Sequence, residues 1–186
     1  MGSIVVIAAS TGGLEPLRTI MSKLPVPCAA SIFIVWHIGR HPSVLPSILS
    51  NVSKLPARFA QDNASIEPGH IYVAPPDHHL VLTAEHMHLN REPKVNHTRP
   101  AADPLFASAA KAYPGQVLGI VLSGKDGDGA AGLKLVKEHG GTALVQHPDT
   151  AESPSMPLKA MMLDHPDEFL SVEQIAQHVR SFCSAG

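Results

Sequence analysis

Three side chains suited to acyl transfer stand just past three of the strongest apolar runs in this sequence. Ser10 follows IVVIAA, His37 follows SIFIVW, and Asp128 lies in the glycine-rich turn after QVLGIVLSG. A serine hydroxyl becomes a nucleophile when a base removes its proton. A histidine can do so near neutral pH, and a carboxylate orients the imidazole and stabilises its cation. Ser10 sits at a strand-to-helix junction, where the positive end of a helix dipole faces it. The N–H groups of Thr11 and its neighbours could hold an oxyanion there, and Gly12 lets a substrate carbonyl approach closely. The turn AASTG resembles a nucleophile elbow without the first glycine of G-x-S-x-G. Each residue also has a plainer reading. The tetrapeptide STGG serves equally as an N-cap or phosphate-binding turn, His37 as a satisfied core histidine, and Asp128 as a turn residue or helix cap. The catalytic reading rests on all three standing at strand ends of matching polarity.

Such residues need a scaffold that gathers strand ends. Ile4 to Ala8 is a continuous β-branched and apolar run, as in a strand buried on both faces. Leu14, Leu17, Ile20, Met21 and Leu24 then share one helical face; Pro16 fits the first turn, and Pro25 and Pro27 close the element. Ser31 to Trp36 is a second buried strand, and a helix is expected from about Pro42 to Val52. This β-α-β-α opening predicts a parallel sheet with right-handed crossovers. Ile71 to Ala74 reads as a strand, and Leu80 to Thr83 with Met87 to Asn90 as an antiparallel hairpin attached to the sheet. A helix from about Ala101 to Tyr113, a strand at Gln116 to Leu122, a helix to about His139 and a strand at Thr142 to Gln146 follow. The last helix opens on Ser171 with Gln174 three residues on, a capping-box spacing. The expected fold class is α/β: a doubly wound, mostly parallel sheet flanked by helices, with an antiparallel hairpin, in a single domain over residues 1–186. In such sheets functional groups collect at the carboxyl ends of the strands, near a topological switch point.

Composition excludes several classes. A net charge of −2 and 4% aromatic residues give neither an electrostatic footprint nor stacking platforms for nucleic acid. Ser3 to Ala9 is too short to cross a bilayer and follows no basic segment, so a cytoplasmic protein without membrane insertion is expected. The two cysteines, Cys28 and Cys183, are far apart in sequence and read as incidental thiols of a reducing compartment. Asp126 and Asp128 suggest a calcium loop, but its twelfth position is Lys137 rather than a glutamate. His37 and His41 lack the HExxH pattern, and His78, His79, His86 and His88 read as surface residues of the hairpin, so no metal is expected. A nucleotide-binding α/β domain is the competing fold-level reading. It would need G-x-G-x-x-G where the chain has AASTGG, and an acid where it has His37, so no cofactor is expected either.

Five ordered segments resemble the catalytic domain of the CheB-type chemotaxis methylesterases. The strand-A-S-T-G-G-helix pattern is matched by Ile7 to Gly13, and the histidine after a buried strand by Val35-Trp36-His37. The pattern L-P-G-H-x-Y-x-A-P is matched from Pro68 to Pro75, and R-P-x-x-D-x-L-F from Arg99 to Phe106. The glycine-rich turn is matched by Leu122-Ser123-Gly124 and Asp128-Gly129-Ala130. The resemblance implies a Ser10-His37-Asp128 triad without metal or cofactor. It implies hydrolysis of glutamate γ-methyl esters on the cytoplasmic helices of chemoreceptors, with deamidation of receptor glutamines as a related activity. It also implies an oxyanion contribution from a backbone position that is usually methionine and is Lys125 here. Thr11, Gly12 and Lys125 are therefore the substrate-adjacent residues expected. Two further departures are Thr98, with His97 before it, where the family has a histidine, and Gln146-His147 where it has Gln-Asp. Lys125 and Thr98 motivate the alternative of a catalytically weak, receptor-binding member. Full-length members generally carry an N-terminal receiver domain; with a first strand starting at residue 3 or 4, a catalytic domain without a receiver is expected.

Overall fold

The first strand is apolar at almost every position because both of its faces are covered. Ile4, Val6 and Ala8 belong to one buried layer, and Val5, Ile7 and Ala9 to the other, the pattern of a strand held between two layers of helices. The structure is a computed structural model that describes residues 2–38, 40–164 and 166–184. Its elements run β1 (Ser3–Ala9), α1 (Leu14–Ser22), β2 (Ala30–Trp36), α2 (Leu45–Val52), β3 (Ala57–Phe59), β4 (Ile71–Val73), β5 (His79–Leu82) and β6 (Met87–Asn90). They continue α3 (Ala102–Ala112), β7 (Val117–Val121), α4 (Ala130–Glu138), β8 (Thr142–Gln146), α5 (Ser155–Asp164), β9 (Glu168–Leu170) and α6 (Val172–Ser184).

Seven strands form one sheet in the order β3-β4-β2-β1-β7-β8-β9, with every neighbouring pair parallel. From β1 the chain first builds outward through β2 and later returns to β7 on the other side. The topological switch point therefore lies at the carboxyl ends of β1 and β7. Leu17 of α1, Leu49 of α2 and Ile175 of α6 cover one face; Phe106 of α3, Leu133 of α4 and Met156 of α5 cover the other. Each fully buried Val, Ile or Leu contributes roughly 1.5–3 kcal/mol relative to exposure, so the central strands are the most firmly held part of the scaffold. Among the described residues no helix is long and apolar enough to cross a membrane.

The expected fold class is the observed one, with local differences. The helix expected from Pro42 begins at Leu45, with Val44 as its N-cap and Pro46 in its first turn. The capping box at the start of α6 forms as its spacing requires: Ser171 N–H donates to Gln174 Oε1 at 2.9 Å, and Gln174 N–H to Ser171 Oγ at 3.3 Å. The antiparallel hairpin pairs His79 to Leu82 with Met87 to Asn90, but as a separate two-stranded sheet. It is anchored on α3, where Ser108 Oγ accepts the Leu82 N–H at 3.0 Å. His79 is not the surface residue expected: it is 1% exposed, contacts Pro93 O at 3.1 Å through Nε2, and accepts the Ala101 N–H at Nδ1. The segment leading into α3 folds over it, and strand periodicity carries no sign of such a cover.

Candidate active site

Ala9 and Trp36 are partners at the ends of β1 and β2, so Ser10 and His37 leave the sheet side by side. The His37 N–H donates to Ala9 O at 3.3 Å, and on the other flank the Ser10 N–H donates to Ser123 O at 3.0 Å, just past β7. Gly13 is the N-cap of α1, and its N–H closes the turn onto Ser10 O at 2.9 Å. Gly12 has φ +75°, and a Cβ there would lie 2.5 Å from Glu152 Cβ and 2.7 Å from Ser123 Oγ, so both conformation and space require glycine. Ser123 knits the turn together. Its Oγ donates to Thr11 O at 2.8 Å and accepts the Ser153 N–H at 2.9 Å, while its own N–H donates to Gln146 Oε1 at 2.9 Å.

Gly124 completes the wall behind Ser10. A Cβ at this position would lie 1.9 Å from Met156 Sδ and 3.0 Å from Ser10 Cβ. Gly124→Ala is expected to destabilise the protein by about 1–3 kcal/mol, the usual range for overpacking, and to displace Ser10. Denaturant unfolding measures the first effect and the rate of labelling by a serine-directed fluorophosphonate the second; an unchanged midpoint would show that Met156 yields without cost.

His37 and Asp128 meet directly, with Nε2···Oδ2 at 2.7 Å and side chains 4% and 0% exposed. A carboxylate only accepts, so Nε2 carries the proton and the imidazole lone pair falls on Nδ1. Nδ1 is buried and has no hydrogen-bond partner; Asp126 Oδ2 is 3.9 Å away. A buried acceptor without a donor is costly, and in a cleft of titratable groups it marks an atom held ready for a proton.

The carboxylate of Asp128 is held on every side. Its Oδ2 also accepts the Ala102 N–H, and its Oδ1 accepts the Asp103 N–H at 3.1 Å and Asn96 Nδ2 at 3.0 Å. Asp128 thus caps a helix, but not the one it precedes: Ala102 and Asp103 open α3, whose positive end stabilises an anion. Burial opposes its ionisation, yet the His37 hydrogen bond and charge, with the Ala102 and Asn96 donors, hold its pKa below the ordinary carboxylate value. Asp103 shifts the other way. Burial and the Asp128 charge raise its pKa, against hydrogen bonds from Gly132, Asn96 and Gly129. Asn96 Nδ2 spans the two acids, donating to Asp103 Oδ2 at 2.7 Å as well. Arg99 anchors the loop that presents Asn96 through Asp77 and the carbonyls of Arg91 and Glu92. Asn96 was not singled out from the sequence; its φ of +50°, which asparagine tolerates, belongs to a loop whose shape sequence periodicity does not encode.

The structure brings Ser10, His37 and Asp128 to one strand-end cluster, and no hydrogen bond links Ser10 Oγ to His37 in it. Thr11 is exposed at the turn, and Lys125 is exposed at the rim. Asn96, His97, Lys125, Asp126, Lys159 and Leu163 line a cavity of about 420 Å³ beside the cluster. Among the described residues no group of three or more His, Cys, Asp or Glu is arranged to hold a metal ion.

Residues 5–179 match the CheB methylesterase family. This chain belongs to it. A relative from Leptospira interrogans is 38% identical over 175 residues, covering 93% of this chain and 91% of its own length. A protein-glutamate methylesterase/protein-glutamine glutaminase of Caulobacter vibrioides is 37% identical over 183 residues; the match covers 95% of this chain and 53% of the Caulobacter protein. The crystal structure of the Thermotoga maritima CheB methylesterase catalytic domain superposes with a TM-score of 0.91 at 32% identity, over 97% of this chain and 98% of that one. The departures from the CheB pattern have structural roles of their own. Thr98 is buried and its Oγ1 donates to Pro100 O at 2.9 Å. Gln146 supports Ser123, while His147 Nδ1 accepts the Asp149 N–H at 3.3 Å to start the next turn.

Proposed function

We propose that this chain hydrolyses glutamate γ-methyl esters on the cytoplasmic helices of chemoreceptors and releases methanol. Ser10 is the nucleophile, His37 the general base and acid, and Asp128 the orienting carboxylate. The observation that supports this most is the buried, unpartnered Nδ1 of His37, whose other ring nitrogen is committed to Asp128, beside the Ser10 turn of a CheB-family chain. With ester bound, Ser10 turns its hydroxyl toward Nδ1; hydrogen bonds of this kind are commonly long without substrate and tighten in the complex. Nδ1 takes the proton as Oγ attacks the ester carbon. The main-chain N–H groups of Thr11 and Lys125 are the donors assigned to the developing oxyanion, and Gly12 gives the turn between Ser10 and α1 its left-handed shape. The imidazolium, stabilised by Asp128, then protonates the departing methoxide, and water hydrolyses the acyl-enzyme by the same steps in reverse.

The lysines Lys125 and Lys159 at the cavity suit a receptor helix rich in glutamates. Residues 1–186 act as one catalytic domain in the cytoplasm and require no cofactor. Incubation with receptor membranes carrying labelled methyl groups should release labelled methanol; a folded protein that releases none overturns the reading. A fluorophosphonate probe separates the binding-only alternative, since an assembled site is labelled at Ser10 and a relic is not. Attack on a side-chain amide is chemically similar, and the paired name of the Caulobacter relative favours deamidation as a second activity.

A further inference from the structure

The two cysteines, 155 positions apart in sequence, meet in the fold. Cys28 lies just before β2 and Cys183 in the last turn of α6, at the amino edge of the sheet and opposite the Ser10 cluster. The Ala29 N–H donates to Cys183 O at 2.9 Å, which ties the two backbones together. The two side chains lie close enough for each to shift the other's ionisation, and the Cys28 S–H donates to Ala30 O at 3.4 Å. Both are free and buried, and both line the floor of a surface pocket of about 410 Å³ walled by Pro25, Val26 and Pro27. Nothing in the ester chemistry uses them.

From this pairing we infer that Cys28 and Cys183 form an oxidant-responsive disulfide that tethers α6 to the start of β2. The contact with Cys183 lowers the Cys28 pKa to about 7, against the effect of burial, whereas the Cys183 thiol is raised. Cys28 is therefore the attacking thiolate and Cys183 the resolving thiol. A peroxide that enters the pocket is attacked at oxygen by the Cys28 sulfur, giving a sulfenic acid and hydroxide. The Cys183 sulfur then attacks the sulfenic sulfur, the S–S bond forms, and water leaves. Two thiols and one hydrogen peroxide become one disulfide and two waters, the two electrons passing to the peroxide O–O bond. A disulfide here closes a loop of about 150 residues, long enough for a marked effect on the unfolded chain.

The test uses the full chain treated with stoichiometric hydrogen peroxide. The expected product is 2 Da lighter, carries no titratable thiol, yields a Cys28–Cys183 cross-linked peptide on digestion, and melts about 5–15 °C higher. Dithiothreitol should reverse all four changes. Cys28→Ser should leave Cys183 unreactive, and Cys183→Ser should trap a sulfenic acid at Cys28 that dimedone captures. Esterase activity of the Cys28→Ser variant should match the wild type, because the pair is remote from the catalytic cluster. Two titratable thiols after treatment, a gain of oxygen without cross-linking, or a disulfide between two chains would each overturn the inference. The peptide map of the wild-type protein decides it even if either variant folds poorly.

Discussion

Ser10→Ala should lower kcat for methyl-ester hydrolysis by at least about 10³-fold, because removing a triad nucleophile leaves only binding and oxyanion stabilisation. The same substitution should barely touch stability. The Ser10 backbone makes the contacts that shape the turn, its N–H to Ser123 O and its carbonyl to the Gly13 N–H, and alanine keeps both. The hydroxyl makes no hydrogen bond to His37, so none is lost from the folded state. The expected pair of results is therefore a near-complete loss of methanol release and of fluorophosphonate labelling, with a melting temperature within about 2 °C of the wild type. Parallel loss of activity and stability would mean that Ser10 is a structural residue of the turn. Full activity would remove the serine mechanism altogether, and the receptor substrate could then still be tested by other chemistry.

The strands that carry the site were legible because burial on both faces leaves a strong signal. β1, β2 and β7 are continuous apolar runs; Ser10 and His37 follow the first two directly, and Asp128 lies in the glycine-rich turn after the third. β3 and β9 were not legible: three residues each, with Arg58 exposed in one and Glu168 and Phe169 in the other, they give no run and no alternation to read. α5 was missed for a related reason, since Met156 and Ala160 are buried while Leu158 and Met162 are exposed, so its apolar residues mark no single face. Within the site, residue types at strand ends pointed to Ser10, His37 and Asp128. The ring nitrogen that faces the carboxylate could not be read that way, because it depends on the loop that delivers Asn96 and on the start of α3. The same limit hid the meeting of Cys28 and Cys183, which only the return of α6 to the sheet edge creates.

The second large effect belongs to Asp128→Asn. The four hydrogen bonds that Asp128 accepts come from two main-chain N–H groups, the Asn96 amide and His37. An asparagine has one accepting oxygen, so whichever way it turns, its NH₂ group confronts donors. Where that NH₂ faces His37, it forces Nε2 to become the acceptor and moves the imidazole proton to Nδ1, the atom proposed to receive the Ser10 proton. An analogous Asp→Asn change in a serine protease, which the tautomer argument already explains, costs about 10⁴-fold in kcat, and a loss of that order is expected here. Stability should fall as well, by about 1–3 kcal/mol for donors left without an acceptor. The pH dependence separates this account from simple unfolding. Because the folded pKa of Asp128 lies below its unfolded value, its contribution is present above the ordinary carboxylate pKa and lost as pH falls through the lowered one. Asp103, raised by burial and by the Asp128 charge, has the opposite sign and loses stability as pH rises through the carboxylate range. The variant removes the first contribution and relieves part of the second, so its melting temperature should vary less than the wild type's across the acid range on either side of the ordinary carboxylate pKa. Melting curves that fall in parallel through that range would mean that the Asp128 charge is not what the cluster is built to hold.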